Sequence, residues 1–159
     1  MNNRRRLVIA LGAGALAAPF GSFAQHWTSA ETPESPYFQS TAIQDINYLL
    51  RDYRTGEVKA IDQRLLDLLY SVNRIMKSSR PFHVISGYRS PTTNAMLAEK
   101  SAGVAKHSLH IEGKAIDFYL PDRPLKELHR VALALGGGGV GYYPESEFVH
   151  MDVGPVRRW

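Results

Sequence analysis

The chain has 159 residues, of which 44% are hydrophobic and 21% charged. That is enough for one domain with one sizeable core, not two, and it excludes a disordered chain. The net charge of +4 is not a nucleic-acid footprint: Arg4, Arg5 and Arg6 precede the first acid, Glu31, and without them Lys+Arg falls from 19 to 16 against 15 acids, leaving +1. No basic stripe lies within the expected fold. There are no cysteines, so disulfides and thiol ligands are excluded, and a metal site would have to use His, Asp or Glu.

The first residues read as a secretory signal. Arg4-Arg5-Arg6 form a charged n-region, Leu7 to Ala18 an apolar h-region, and Ser22-Phe23-Ala24 a small-x-small cleavage site. The apolar run is short for a bilayer span. Residues 1–24 are therefore expected to be a signal peptide. Its consecutive arginines before Leu7-Val8 also fit twin-arginine export. An uncleaved anchor or a buried helix is the competing reading. Residues 25–40, polar and carrying Pro33 and Pro36, read as a flexible leader.

The domain is expected over 41–159. Thr41 and Gln44 have capping-box spacing, and Ile43, Ile46, Leu50 and Tyr53 follow at helical intervals. Arg54-Thr55-Gly56 is a turn. The spacing of Leu65, Leu69, Val72 and Met76, broadened by Leu66, Leu68 and Ile75, predicts a core helix from about Asp62 to Lys77. Phe82 to Ser86 is a short strand ending at Gly87. Ser90-Pro91 is an N-cap with proline at the first helical position, opening a helix to about Lys100. Residues 101–113 read as a loop, Lys114 to Leu120 as a strand, and Asp122 as the cap of a helix. Leu125, Leu128, Val131 and Leu135 face inward on that helix, and Gly136 closes it. Val140 to Tyr143 and Phe148 to Val153 are two further strands. Helices first and strands later, with no βαβ repeat, predict an α+β fold with a mostly antiparallel sheet flanked by helices.

The stretch richest in chemistry is Ser108-Leu109-His110-Ile111-Glu112-Gly113-Lys114-Ala115-Ile116-Asp117. Zinc accepts imidazole nitrogen and carboxylate oxygen, and a catalytic site keeps three protein ligands and one open position. Gly113 permits a tight return that brings His110 and Asp117 to one point. Ala115, on the same strand face as Asp117, leaves room for an ion. A third ligand is available in Glu147-Phe148-Val149-His150-Met151-Asp152, where His150 and Asp152 share a strand face. Glu147 would sit at the mouth as proton acceptor for a metal-activated water. On spacing alone, histidines held only for structural reasons remain an open alternative. His107 could share a metal but is less suited than His110. His83 reads as packed or exposed, His26 and His129 as solvent-facing, and Glu112 as exposed beside Gly113. Tyr142 and Tyr143 read as core aromatics before cleft residues.

Three blocks together, Ser86-Gly87-Tyr88-Arg89-Ser90, Ser108-x-His110-x-x-Gly113-x-Ala115-x-Asp117 and Phe148-Val149-His150-Met151-Asp152, resemble the D-alanyl-D-alanine carboxypeptidase and hedgehog-type zinc peptidase superfamily. From Asn47 to Trp159 the chain is most similar to its murein endopeptidase K branch. The resemblance implies a hedgehog/DD-peptidase-like fold and one Zn2+ held by His110, Asp117 and His150. It makes Glu147 the general base and Arg89 the residue that steadies substrate and polarises the scissile carbonyl. It puts Ser108 and Asp152 behind the ligands, orienting them. The implied protein is a periplasmic, monomeric zinc metallopeptidase that cleaves peptide cross-links in peptidoglycan by attack of zinc-bound water. Its partners would be peptidoglycan peptide stems, with no nucleic acid and no stable membrane insertion after signal cleavage. A D-alanyl-D-alanine carboxypeptidase and a non-catalytic zinc-containing cell-wall peptide-binding module are the alternatives.

Overall fold

One helical stripe organises the core. In the computed structural model, which describes residues 5–7, 40–100, 104–105 and 107–159, helix α2 (Gln63–Met76) buries Leu65, Leu66, Leu69 and Val72 almost completely. Each such side chain contributes about 1.5–3 kcal/mol relative to exposure. The helix is closed at both ends by its own sequence. The Asp62 carboxylate accepts from the Arg64 N–H at its start, and Lys77 in a left-handed conformation returns its N–H to the Asn73 carbonyl. Helix α1 (Ser40–Leu49) precedes it, α3 (Pro91–Lys100) follows, and α4 (Leu125–Leu135) ends at Gly136 with φ of 60°. The expected signal peptide and leader fall outside the described residues apart from Arg5–Leu7 and Ser40.

The strands are β1 (Arg5–Leu7), β2 (Phe82–Ser86), β3 (Ala115–Tyr119), β4 (Gly139–Tyr143), β5 (Phe148–Asp152) and β6 (Arg157–Arg158). They form one sheet in the order β1-β2-β3-β5-β4-β6. Every neighbouring pair is antiparallel except β4 with β6, which is parallel. The fold is α+β with a mostly antiparallel sheet, as the order of elements predicts. One face of the sheet carries Val84, Ile116, Phe118, Val149 and Met151 into the same core as Leu69 of α2 and Leu128 of α4. Alternation sends the intervening residues of β3 and β5 to the opposite face. There the register sets Ala115 across from Asp152 and Asp117 across from His150.

Four local expectations are corrected. Helix α1 begins at Ser40 and ends at Leu49, so Thr41 lies within it rather than capping it, and Tyr53 lies beyond its end, 60% exposed. Asp122 does not cap α4, whose first turn follows Pro124 without a side-chain cap. It instead accepts from the Ser78 hydroxyl and the Ser79 N–H, tying the α2–β2 turn to the β3–α4 turn. Ile75, at the edge of the α2 stripe, is exposed. His129 is not solvent-facing: it is half-buried and stacked on Tyr142, with ring centroids 4.7 Å apart.

One buried carboxylate joins the helices to the turn that supplies Arg89. Asp52 accepts from the backbone N–H groups of Arg54 (2.7 Å) and Thr55 (3.2 Å) through one oxygen and from that of Ser90 (2.7 Å) through the other. Burial works against its charge, but hydrogen bonds from Thr93, Ser90 and Arg54 outweigh burial and hold the carboxyl well below the usual carboxylate range. Its stabilisation is present above the unfolded-state pKa of about 4 and is lost as pH falls through the folded value. Asp52→Ala leaves the buried Ser90 N–H without its acceptor. It should cost about 2–4 kcal/mol, read as a lower urea midpoint with an unchanged slope.

Candidate metal centre

Four segments converge on the polar face of the sheet. The Ser108 hydroxyl caps the 3-10 turn Leu109–Glu112 by accepting from the His110 N–H. Gly113 ends that turn with φ of 71°, and a Cβ there would lie 2.5 Å from the Ala60 carbonyl oxygen. Glycine is thus required both by conformation and by space. The return delivers β3, so that His110 and Asp117 meet although the chain reverses between them. His150 comes from β5, directly across from Asp117. Arg89 comes from the loop after β2, where its Nε donates to the Ser86 hydroxyl at 2.7 Å.

The two imidazoles are fixed by what lies behind them. His110 Nδ1 donates to the Gly87 carbonyl at 2.7 Å, since that oxygen can only accept. His150 Nε2 donates to Asp152 Oδ2 at 3.0 Å. Asp152 is itself saturated: the Gly139 and Gly154 N–H groups each donate to one oxygen at 2.9 Å, and Arg157 Nη2 donates to the other at 2.7 Å. The remaining ring nitrogens, His110 Nε2 and His150 Nδ1, point at the same oxygen of Asp117, at 3.2 and 2.8 Å. The other Asp117 oxygen accepts from Arg89 Nη2 at 2.5 Å.

Burial pushes the His110 imidazole below its ordinary value, although Asp117 pulls the other way. A neutral His110 with its proton committed to Gly87 presents a lone pair at Nε2. That lone pair faces a carboxylate oxygen, two acceptors with no hydrogen between them. A cation is what this gap accommodates. One atom from each of His110, Asp117 and His150 lies within 4.8 Å of the other two, a group able to hold a metal ion. Two imidazole nitrogens and one carboxylate oxygen form a donor set that suits zinc. Burial also opposes ionisation of Asp117, but His110, His150 and Arg89 outweigh it and hold the carboxyl well below the usual range. For Asp152, burial is likewise outweighed, by His150, Gly139 and Gly154, and its pKa falls to about 2.

The group opens into a cleft of about 280 Å3 lined by Arg89, His107, Ser108, Tyr143, Ser146, Phe148 and Trp159, among others. His107 is exposed at the rim and does not join the metal-capable group. Glu147 lies in the turn between β4 and β5 with φ of 56°, exposed, while Ser146 and Phe148 on either side of it line the cleft and it does not. Glu112 is exposed and paired with Lys114 at 2.7 Å. His83 donates to or accepts from the Tyr119 hydroxyl at 2.8 Å, away from the site. Sequence reasoning missed Arg157 and Trp159. The one signal for them was the pair of strand glycines, Gly139 and Gly141, whose missing side chains leave room on the site face.

Known proteins resemble this chain over nearly its whole length. A family model for "Peptidase_M15_2: Peptidoglycan L,D-endopeptidase MepK" matches residues 24–159. The chain is 39% identical over 178 aligned positions to "Peptidoglycan L,D-endopeptidase MepK" of Escherichia coli K12, covering 99% of this chain and 97% of that one. It is 45% identical over 123 positions to "Probable peptidoglycan L,D-endopeptidase MepK" of Haemophilus influenzae, covering 77% and 66% respectively. No solved structure gives a significant match. With both the family model and the E. coli relative spanning nearly all of the expected domain, the chain belongs to the Peptidase_M15_2 family.

Proposed function

We propose that the protein is an exported zinc peptidase that cleaves peptide cross-links in peptidoglycan, and that the bond it cuts joins an L to a D centre. The observation that carries this reading is the acceptor-to-acceptor gap between His110 Nε2 and Asp117 Oδ1, closed on its third side by His150. The bond type is carried over from the names of the E. coli and H. influenzae relatives. It speaks against the D-alanyl-D-alanine carboxypeptidase alternative, since that enzyme cuts a D,D bond.

His110, Asp117 and His150 would hold the ion. Bound zinc supplies Lewis acidity and brings the pKa of a coordinated water towards neutrality. The chain's own residues do the rest. Gly87 and Asp152 hold the two imidazoles in the tautomers that leave their metal-facing lone pairs free. Arg89 anchors Asp117 and presents a fixed positive charge to the cleft, suited to a substrate carbonyl or carboxylate oxygen. Glu147 is assigned as the base that takes a proton from the attacking water and returns it to the leaving amine. What supports this is the family resemblance, which puts the base three residues before His150, together with its position between the cleft-lining Ser146 and Phe148 and its left-handed backbone, a conformation that costs a non-glycine residue about 1–2 kcal/mol.

The mature chain, loaded with zinc, should release cross-linked muropeptides as two stem peptides, seen by mass spectrometry. Release of single D-alanine instead would identify a carboxypeptidase. Binding without turnover would identify a recognition module. Glu147→Gly separates the base from the backbone: it relieves the strained φ and should leave the fold as stable or slightly more so, yet lower kcat by about 100-fold or more. Full activity in this variant would remove Glu147 from the mechanism.

Proton linkage tests the ligand set. Without metal, His150 donates from both ring nitrogens. Burial lowers its pKa, but the hydrogen bonds to Asp117 and Asp152 outweigh burial and raise it from 6.5 to about 9. The raised value stabilises the metal-free fold fully below pH 6.5, and that contribution is lost as pH rises through about 9. Zinc must displace the Nδ1 proton. Uptake at pH 7 should therefore release about one proton, and zinc affinity should rise about tenfold per pH unit until it levels near pH 9. Calorimetry in buffers of different ionisation enthalpy measures both, and an affinity independent of pH would exclude His150 as a ligand.

Export rests on the n-region, h-region and cleavage pattern of residues 1–24, which makes the pairing of Arg5–Leu7 with β2 a feature of the precursor. Among the described residues no helix is long and apolar enough to cross a membrane. The N-terminus of the protein recovered from the periplasm should be Gln25, by intact-mass measurement.

A further inference from the structure

The last strand brings an aromatic side chain onto the site that neither the ligand set nor its supports account for. β6 runs parallel to β4, and beyond it the Trp159 N–H donates to the Val140 carbonyl while the Tyr142 N–H donates to the Trp159 carbonyl. The indole is thereby laid across β4 at Gly141. A Cβ at Gly141 would fall 2.7 Å from the indole Nε1 and Cε2, so the strand is flat at this position and the ring lies directly upon it. Gly141 is the β4 partner of His150, which is the β5 partner of Asp117, which is the β3 partner of Ser86. Trp159 therefore occupies the far end of one row of residues running across the sheet.

The ring is held in place rather than buried. Its Nε1–H donates to the Tyr143 hydroxyl at 2.7 Å, and Tyr143 stacks on Phe148 at 4.5 Å. The Arg157 guanidinium sits 5.1 Å from its centroid, and the ring of His150 lies 5.3 Å away. Yet 49% of Trp159 remains exposed, and the residue lines the cleft. An indole with its one polar atom already satisfied offers only apolar surface to whatever enters.

The row is polarised. Arg89, hydrogen-bonded to Ser86 and Asp117, makes one end cationic. Trp159, over Gly141, makes the other end aromatic, with the Arg157 guanidinium beside the ring. The metal-capable group lies between them. A peptide whose scissile carbonyl is at the centre, with an oxygen directed to Arg89, can lay the residue on the far side of that bond against the indole.

We propose that Trp159 is a specificity-determining residue, the platform for an extended aliphatic side chain on the substrate residue next to the cleaved bond, with Tyr143 and Gly141 setting its position. This rests on the peptidase reading above for the location of the scissile bond. Two synthetic cross-linked stem peptides provide the test, one with a long aliphatic stem on that residue and one with alanine there. The zinc-loaded wild type should prefer the first by about tenfold in kcat/KM, the difference residing in KM. Trp159→Ala should bring the ratio near one without changing bound zinc, and Trp159→Phe should keep most of it. An unchanged ratio in Trp159→Ala, or a matched loss of zinc and kcat for both peptides, would overturn the proposal.

A second measurement keeps it separate from the peptidase reading. In a Trp27→Phe background Trp159 is the remaining tryptophan of the chain. Its fluorescence should change on saturation with the long-stem peptide and respond at least tenfold more weakly to the alanine peptide, in zinc or in chelator. If the wild type cleaves neither peptide but this difference is seen, the peptidase reading fails and the platform stands. If neither peptide alters the emission, the platform fails whatever the protein cleaves.

Discussion

A single buried carboxylate sets the terms for the whole polar face of the sheet. Asp117 is 4% exposed, ionised, and placed between two imidazoles and a guanidinium. A carboxylate buried without partners would cost many kcal/mol. Its position is therefore tenable only because the loop after β2, the 3-10 turn and β5 each send a partner to it. This explains features that look unrelated along the chain. Ser86 holds Arg89, Gly87 lends a carbonyl to His110, and Gly113 turns the chain so that His110 and Asp117 can face each other. Each is a requirement of that one charge.

The support extends through a chain of partners. Asp117 is met by His150, His150 by Asp152, and Asp152 by two backbone N–H groups and Arg157. Asp152 is fully buried and bonded on both oxygens, while Arg157 at the end is partly solvated. Such a chain fixes the direction of the His150 ring more firmly than its immediate contact would, because Asp152 cannot rotate without breaking three other bonds. The same logic governs His110, whose Nδ1 partner is a backbone carbonyl that cannot turn away.

How much of this was legible in the sequence follows from the range of each interaction. The α2 stripe and its termini, the strands either side of Gly113, and the His110–Asp117 pairing are set by neighbours within a few residues, where helical and strand periods apply directly. His150 was legible mainly through the family resemblance, with Asp152 on the same face of β5 in support. Expectations failed where a distant partner decided the outcome. Asp122 has the chemistry of a cap, but Ser78 and Ser79 approach it from another turn and take its oxygens. His129 reads as exposed until Tyr142 packs on it. Arg157 and Trp159 drew no reading as site residues, because the parallel pairing of β6 with β4 has no local signal.

The glycines of β4 show how the missed part could have been seen. Gly139 and Gly141 are two apart, hence on one face of a strand, and both interrupt an otherwise apolar and aromatic run. Glycine weakens a strand by entropy and lost packing, so two on one face imply that something else needs the space. The structure supplies it twice: the Asp152–Arg157 pair over Gly139, and the indole of Trp159 over Gly141. The first occupant stiffens the ligand sphere from behind. The second forms the wall of the cleft in front. One strand, by omitting two side chains, thus lets β6 serve both the holding of His150 and the shape of the space that substrate must enter, which is why a two-residue strand with exposed arginines belongs to the site.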